Sequence, residues 1–293
     1  MSWRTLHDGK DRVGWLAQRR NGIGGSDAAG VLCKSPWASP VSVFADKALP
    51  QEAPGDEPER FYWGRTLEPV IAEHYGRETG RKVAMMGSLL QNIDRPWQLV
   101  TLDALQTADD KDGPGFLEIK NTRWAMTDGV PEHYWIQMQH QYAVTGYSWG
   151  SFAVLVSGCE FFWCDVERDD DFIDNILIPE EAAFWQRVEN GGPTPPTDAS
   201  KATTDALKRL FPTDNGETVI LPREFDDDDR ERLEILAQER SLKESKAAID
   251  NRLKAAIGDA SYGVLPNGRT FTYKANKNGA RALRAPKAEK VGL

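Results

Sequence analysis

The stretch GFLEIKN, residues 115–121, is the segment on which the fold prediction rests. It is short, rich in residues that favour strands and bounded by turn residues, which together predict a β-strand. Side chains two positions apart on a strand project from the same face of the sheet, so Glu118 and Lys120 are expected to share one site.

A second predicted strand lies upstream, in QLVTLDAL at residues 98–105. Asp103 falls near its end, fifteen residues before Glu118. The intervening turn DDKDGPG, residues 109–115, is rich in residues that reverse the chain. We therefore expect the two strands to be neighbours, with Asp103 beside Glu118.

Two neighbouring carboxylates form the core of a predicted metal site. Asp103, Glu118 and the backbone carbonyl of Ile119 would offer oxygen ligands of the kind that Mg²⁺ prefers, and Mn²⁺ should substitute. Buried like charges repel without a cation, and Lys120 could orient or help to deprotonate a water molecule. The bare pattern also fits a pair of solvated strands, because short motifs recur by chance.

Helical segments on both sides of these strands supply further candidates. The pattern of RTLEPVIAEHYGRETG (65–80) predicts a helix that places Glu68 where it could be an extra metal ligand. A helix over 132–146 would carry Gln137 and Gln139, whose amides could hydrogen-bond a nucleotide or phosphate near the metal. Taken singly, each of these three residues also fits an ordinary helix surface.

A glycine-rich turn near the N-terminus predicts a phosphate pocket. In WLAQRRNGIGGSDAAGVL (15–32), Arg19 and Ser26 flank this turn before a predicted helix. A guanidinium, a hydroxyl and backbone amides suit a phosphate, whereas Asp27 is better suited to capping the helix. A simple capped turn is the alternative explanation.

The order helix, strand, strand, helix, strand predicts an α/β fold with a mixed central sheet flanked by helices. The last of these strands is SFAVLVSG, residues 151–158. The Pro- and Gly-rich stretch GGPTPPTDASKATTDALK, residues 191–208, marks a domain edge. We predict one domain over 1–190, a linker over 191–222, and a C-terminal extension over 223–293 that contains a helix and a basic β-hairpin.

The C-terminal extension differs in charge from the rest of the chain. The net charge of −9 divides into −12 for residues 1–200 and +3 for residues 201–293. Asn267-Gly268 lies between alternating residues of 264–274 and predicts a hairpin. Basic side chains interleaved with aromatic ones are candidate DNA contacts, with solvated lysines on a packed hairpin as the alternative: Arg269, Lys274 and Lys277.

Composition excludes several classes of protein. The chain has 293 residues, enough for a sizeable core, and no apolar stretch approaches the length of a membrane span. Charges at the N-terminus do not fit a secretory signal, so we expect a cytoplasmic protein. The 3 cysteines are scattered, which predicts reduced thiols and does not fit an iron–sulfur cluster.

An ordered set of motifs resembles one family. The segments W-x3-R-x3-IGGSDAAGVL, WGRTLEPVIAEHY, TLDAL, FLEIK and YWIQMQHQYAVTG follow the order and approximate spacing of the YqaJ-like phage recombinases, which are similar to phage lambda exonuclease. The resemblance covers roughly residues 12–190 and implies the PD-(D/E)XK nuclease fold. The family's usual Pro-Asp-Gly is Leu102-Asp103-Ala104 here.

The resemblance also implies roles for individual residues. Asp103, Glu118 and Lys120 stand at the signature positions, and Glu68 matches the acid on the helix. Arg19 and Ser26 match positions that hold a 5′-phosphate. The family's downstream glutamine is matched by Gln137.

The implied activity is a Mg²⁺-dependent 5′ to 3′ exonuclease acting on ends of double-stranded DNA in a phage or prophage setting within a bacterial host. Its 3′ overhangs would serve recombination by strand annealing. A ring-shaped homotrimer and a single-strand annealing protein as partner are further implications. Two alternatives stay open: a DNA endonuclease of the same superfamily, and a catalytically inactive DNA-binding module.

Overall fold

The structure, a computed structural model, describes residues 2–50, 58–123 and 129–285. The chain divides into two compact units, Met1–Asp214 and Asn215–Leu293. Residues 286–293, the end of the predicted C-terminal extension, lie outside the described residues.

The described strands of the first unit are β1 (Trp3–His7), β2 (Lys82–Met85), β3 (Leu89–Asn92), β4 (Leu99–Thr101), β5 (Ala104–Thr107), β6 (Gly115–Thr122), β7 (Gly150–Val156) and β8 (Glu160–Val166). Its described helices are α1 (Arg12–Arg19), α2 (Gly25–Val31), α3 (Pro40–Ala48), α4 (Glu59–Thr79), α5 (Glu132–Thr145), α6 (Asp170–Phe172), α7 (Ile178–Glu189) and α8 (Lys201–Leu210). A π-helical turn, Ile173–Leu177, joins α6 to α7.

Five strands form the central sheet, in the order β2-β5-β6-β7-β8. Only β6 and β7 pair in parallel among them, and α5 is the crossover between the two. The other neighbours pair antiparallel. This mixed sheet flanked by helices confirms the predicted fold class.

The two faces of the sheet are covered by different helices. The side chains of Phe116 and Phe152 pack with α5 in the larger core cluster. Leu117 and Ile119 point the other way and pack with Ile71 and its neighbours on α4. Because side chains alternate along β6, Glu118 and Lys120 are on the face of Phe116, towards α5.

The predicted strand over 98–105 is divided in two in the structure. β4 belongs to a separate three-stranded sheet, β1-β3-β4, while β5 belongs to the central sheet. The chain changes sheet at Leu102 and Asp103, whose carbonyls accept hydrogen bonds from the backbone of Gly87 and Met86. Asp103 therefore stands between two sheets, at the start of β5.

Part of the segment predicted as a linker, 191–222, is packed structure. Ser200 caps α8 by accepting a hydrogen bond from Thr203 N, and Ala206 of this helix is buried against Val41 and Ala45 of α3. The prolines that precede this helix in the sequence led to the prediction of a linker. The unit boundary in the structure falls after Asp214.

The second unit consists of α9 (Glu224–Ile257) and an antiparallel sheet of β9 (Tyr262–Val264), β10 (Thr270–Ala275) and β11 (Arg281–Arg284). Gly258 ends the helix with a positive φ of 56°. The pairing of β9 with β10 is the predicted hairpin around Asn267-Gly268. Within 2–50, 58–123 and 129–285, no helix is both long and apolar enough to cross a bilayer.

Candidate active site

Glu118 is the centre of a buried polar cluster on the α5 side of the sheet. Its side chain is 1% exposed. The Oε1 atom accepts hydrogen bonds from the ammonium of Lys120 and from Gln137 Nε2, the latter at 2.6 Å. The Oε2 atom accepts a hydrogen bond from the amide of Gln141. Strand β6 thus presents the acid, and α5 supplies the two amides that hold it.

Asp103 lies beside Glu118, as predicted from the two strands. β5 pairs with β6 in a register that sets Ala104 opposite Leu117, and Asp103 Oδ2 accepts a hydrogen bond of 2.8 Å from the backbone N–H of Ile119. Burial and the neighbouring charge of Glu118 raise the pKa of Asp103 well above its usual range. Asp103 therefore holds its proton more tightly than an exposed aspartate does.

Lys120 is the cation of this cluster. Burial alone would lower its pKa, but the carboxylates of Glu118 and Asp103 outweigh burial and raise it. The ammonium also lies 5.5 Å from the ring centroid of Tyr134 on α5. Lys120 is thus held as a charged donor.

Glu68 contributes a third carboxylate to the same electrostatic environment. It is half-buried on α4, and burial raises its pKa, an effect that Glu118 adds to and Lys120 opposes. The interaction places Glu68 within range of the cluster. Arg65 also lowers the pKa of Glu68, so the three acids lie near Lys120 and, at Glu68, near Arg65 as well.

The donor chemistry of this cluster fits a divalent metal such as Mg²⁺. Its carboxylate oxygens are hard ligands, and burial together with the charge of Glu118 raises the pKa of both Asp103 and Glu68, so a bound cation would stabilise their ionised forms. In the described part of the chain, no three His, Cys, Asp or Glu side chains stand ready-made as a metal centre. A metal at this cluster would therefore need its carboxylates to move closer together.

Arg19 and Ser26, the predicted phosphate ligands, are in contact. Arg19 Nη2 donates to Ser26 Oγ at 2.5 Å. Asp27 caps α2 by accepting a hydrogen bond from Gly24 N, as predicted, and it also pairs with Arg19 at 3.4 Å. The ammonium of Lys47 lies 2.7 Å from Asp27.

Lys47 changes the charge balance of this pocket. Burial would raise the pKa of Asp27, but Lys47 and Arg19 outweigh burial and lower it to about 2. Asp27 is therefore an anion shared by two cations. The pocket keeps a net positive charge, which an Arg19–Asp27 pair alone would not have.

Helix packing brings this pocket close to the acidic cluster. A Cβ atom on Gly25 would lie only 3.2 Å from Gln137 Cγ, so α2 approaches α5 at the residue that also binds Glu118. The side chain of Gln137 thus lies between Ser26's turn and the carboxylates. The two groups of predicted residues are therefore adjacent in the structure.

Gln139 does not join them, and its expected DNA contact is corrected by the structure. The side chain is completely buried. Its Nε2 donates to the carbonyl of Glu167 at 2.8 Å, and its Oε1 accepts from Asp169 N at 2.9 Å. Gln139 ties α5 to the end of β8 because it lies on the opposite side of the helix from Gln137.

The basic residues predicted on the hairpin lie in the second unit. Arg269 is 5.7 Å from the ring of Phe271, and the ammonium of Lys274 bonds the hydroxyl of Tyr262. Lys277 is exposed in the turn between β10 and β11. Lys274 is therefore already engaged, whereas Arg269 and Lys277 present exposed charges.

Sequence reasoning missed Gln141, Lys47 and Tyr134. Gln141 carried a usable signal, because it is four residues after Gln137 and so shares its face of the helix. No pattern in the sequence pointed to Lys47, because it lies on α3 and approaches Asp27 only through the packing of the helices.

Comparisons with known proteins show the family of this chain. Residues 14–148 match the model of the YqaJ-like viral recombinase domain. The chain is 30% identical over 262 residues to the uncharacterized protein YqaJ of Bacillus subtilis (strain 168), a match that covers 86% of this chain and 80% of that protein. This share exceeds the first unit, so the similarity extends into the second.

Solved structures provide a more distant comparison. The alkaline exonuclease LHK-Exo from Laribacter hongkongensis has a TM-score of 0.49 and 22% identity, covering 61% of this chain and 93% of that chain. LHK-Exo in complex with dAMP gives the same TM-score and identity, with 68% and 97% covered. On the sequence identity that runs through most of its length, the chain belongs to the YqaJ-like viral recombinase family.

Proposed function

We propose that this protein is a Mg²⁺-dependent exonuclease of the PD-(D/E)XK type, which degrades one strand of linear duplex DNA from its 5′ end. The observation that carries the proposal is the cluster of Asp103, Glu118 and Glu68 around the buried ammonium of Lys120. Membership of a recombinase family supports DNA as the substrate. The 3′ overhangs would then serve strand annealing.

Each residue of the cluster has a role in this proposal. Asp103, Glu118 and the Ile119 carbonyl would hold Mg²⁺, with Glu68 as an additional ligand. The ion, when bound, lowers the pKa of a coordinated water and offsets charge on the phosphorane-like transition state. Mn²⁺ should replace it.

The amino acids around the metal ligands orient the reacting groups. Lys120, held as an ammonium, donates a hydrogen bond that positions the attacking water, and Gln137 fixes the Glu118 carboxylate. Arg19 and Ser26 would bind the 5′-phosphate and so set the polarity of digestion. The packing of Gly25 against Gln137 supports this, because it puts the pocket next to the carboxylates.

The decisive experiment is digestion of linear duplexes that differ only in 5′-phosphorylation, with and without Mg²⁺. We expect Mg²⁺-dependent release of nucleotides from the 5′-phosphorylated strand and much slower digestion of the 5′-hydroxyl strand. Cleavage of a covalently closed circle would identify an endonuclease instead. Binding of DNA without hydrolysis, with Mg²⁺ or Mn²⁺ present, would identify an inactive DNA-binding module.

The partners remain proposals that rest on the resemblance. A ring-shaped homotrimer would keep the enzyme on its duplex, and a single-strand annealing protein would receive the product. Light scattering that gave a monomer at working concentration would rule out the ring.

The exposed basic residues of the second unit are proposed to contact the DNA backbone. Each phosphate contact contributes about −0.9 to the slope of log K against log salt for duplex DNA. Replacing Arg269 and Lys277 by Ala should therefore make the slope shallower by roughly 2. An unchanged slope would show that neither side chain touches phosphate.

A further inference from the structure

A line of aromatic side chains leads from Lys120 to the protein surface. The Lys120 ammonium lies 5.5 Å from the ring centroid of Tyr134. The His133 ring lies 4.1 Å from Tyr134, and Trp37 meets the His133 ring edge-on at 4.8 Å. The ring centroids of Trp37 and Tyr134 are 6.3 Å apart. Tyr134 therefore connects the exposed indole to Lys120.

The outermost member of this line is exposed but held in position. Trp37 is 63% exposed. Its backbone N–H and that of Ala38 both donate to Ser35 Oγ, at 3.2 and 3.1 Å. Lys34 pairs with Glu132 at 2.9 Å and so joins this loop to the first residue of α5.

Tyr134 is equally fixed from the inside. Its ring packs 5.5 Å from Phe152, which is fully buried in the core. The exposed indole therefore stands on a rigid base. A single exposed aromatic side chain is ordinary on a protein surface, but one that is fixed on both sides and connected through Tyr134 to Lys120 offers a ready stacking face.

We infer that Trp37, supported by His133 and Tyr134, is a stacking platform for an unpaired nucleobase of the DNA strand that enters the site. This inference rests on the proposed function and deepens it, since it names single-stranded DNA as the form bound there. The phosphate of that strand would lie at Lys120 and its base on the indole. Every base has a flat aromatic face, so the platform would be tolerant of sequence.

The choice of a nucleobase over an apolar protein segment follows from two features. Among the described residues, Trp37 is the exposed member of this line of rings, since His133 and Tyr134 are partly buried, whereas a protein-docking surface presents a contiguous apolar patch. The indole is also connected through Tyr134 to Lys120, the cation that would lie beside the substrate's phosphate. A nucleotide has one base and one phosphate, which would contact the Trp37 indole and the Lys120 ammonium.

The test is equilibrium binding of the full chain to single-stranded oligonucleotides in EDTA, where hydrolysis does not interfere. One abasic residue is moved through successive positions from the 5′ end. Wild type should lose about tenfold in affinity when the abasic residue falls at the position stacked on Trp37. Trp37→Ala should bind the intact oligonucleotide about tenfold more weakly and show no positional effect.

Control variants separate stacking from other effects. Trp37→Phe should restore part of the positional effect, whereas Trp37→Leu, which is apolar but has no aromatic face, should not. Phe211→Ala removes an aromatic side chain of similar exposure, 66%, at the end of α8 and should behave as wild type. Unchanged thermal unfolding of each variant would show that the fold is retained.

The outcome is independent of whether the protein cleaves DNA. An equal positional effect in wild type and Trp37→Ala, or none in wild type, would overturn the platform even if Mg²⁺-dependent digestion is observed. A positional effect that disappears in Trp37→Ala would support the platform even if no digestion is found, in which case the proposed function alone would fall.

Discussion

Glu118 and Gln141 are joined by a hydrogen bond inside the protein, from the amide of Gln141 to Glu118 Oε2. Gln141 is fully buried, and its Oε1 atom has no hydrogen-bond partner among the described residues. A buried amide that leaves one of its polar atoms unpaired carries a free-energy cost. The hydrogen bond to Glu118 offsets this cost. Because that bond holds the carboxylate from α5, we assign Gln141 as a positioning residue for Glu118.

Replacing Gln141 should therefore impair metal-dependent activity. In Gln141→Leu, Glu118 loses a donor and its orientation, and residues that orient metal ligands are typically worth 10- to 100-fold. We expect the Mg²⁺ concentration for half-maximal activity to rise about tenfold. Nuclease assays over a Mg²⁺ series would measure it.

The matched control is Gln139→Leu on the same helix. Its amide bonds Glu167 and Asp169 away from the cluster, so this variant should lose stability while its Mg²⁺ dependence stays at the wild-type value. An equal shift in both variants would mean that Gln141 acts only through the stability of α5.

Asp103→Asn should stabilise the metal-free protein at neutral and alkaline pH. Burial and Glu118 raise the pKa of Asp103 in the folded state, so the folded protein holds this proton more tightly than the unfolded chain. Its contribution to stability is full below the ordinary Asp value of about 3.9 and is lost as pH rises through the folded pKa. The variant should unfold at a higher temperature than wild type at pH 8, and the gain should disappear in acid.

The same substitution should remove stabilisation by Mg²⁺. A ligand that binds only the folded state raises its stability, so wild type should gain thermal stability on addition of Mg²⁺ and Asp103→Asn should not. Asp46→Asn, at an exposed carboxylate paired with Arg209, is the control and should keep the Mg²⁺ response. Equal stabilisation of Asp103→Asn would contradict the metal assignment.

Arg81 and Asp165 should contribute strongly to stability. Arg81 donates to both oxygens of Asp165, at 2.6 and 2.9 Å, and joins α4's end to β8. Burial would raise the pKa of Asp165, but hydrogen bonds from Arg81 and Ser151 outweigh it and hold the pKa well below its usual range. This contribution is present above the unfolded pKa and is lost as pH falls through the folded pKa.

In Arg81→Met, the free energy of unfolding should fall by about 3 kcal/mol at pH 7, a value at the low end for broken buried pairs because Asp165 is partly exposed. Lys201→Met, which breaks the exposed pair with Asp205, should lower the free energy of unfolding far less than Arg81→Met does. Urea unfolding measures both. Similar losses of unfolding free energy in the two variants would show that burial does not strengthen the Arg81–Asp165 pair.

Arg19 and Lys47 should act together on the choice of DNA end. Arg19→Ala should abolish the preference for a 5′-phosphate, and Lys47→Met should reduce it because Asp27 would then neutralise Arg19 alone. We expect the ratio of kcat/KM for 5′-phosphate over 5′-hydroxyl ends to fall about tenfold in Lys47→Met, as for a lost charged hydrogen bond.

The 5′-hydroxyl substrate serves as the internal control, since its kcat/KM should not change in either variant. A phosphate preference that survives in Arg19→Ala would place the 5′-phosphate elsewhere.

Much of the central fold was predictable from local patterns. GFLEIKN forms β6, and the helix expected over 132–146 is α5. The strand predicted over 98–105 was only partly right, because Asp103 stands where the chain passes from one sheet to the other. That change depends on backbone partners in Met86 and Gly87, which no pattern within 98–105 encodes.

The sequence by itself determined that Glu118 and Lys120 share a face and that Asp103 could meet them, because strand geometry relates neighbours along the chain. Only tertiary structure decided which other groups surround them: Lys47 beside Asp27, Gln139 turned into the interior, and Trp37 at the end of a line of rings. These contacts join residues that are far apart in sequence, so they are set by the packing of helices against the sheet and not by any local propensity.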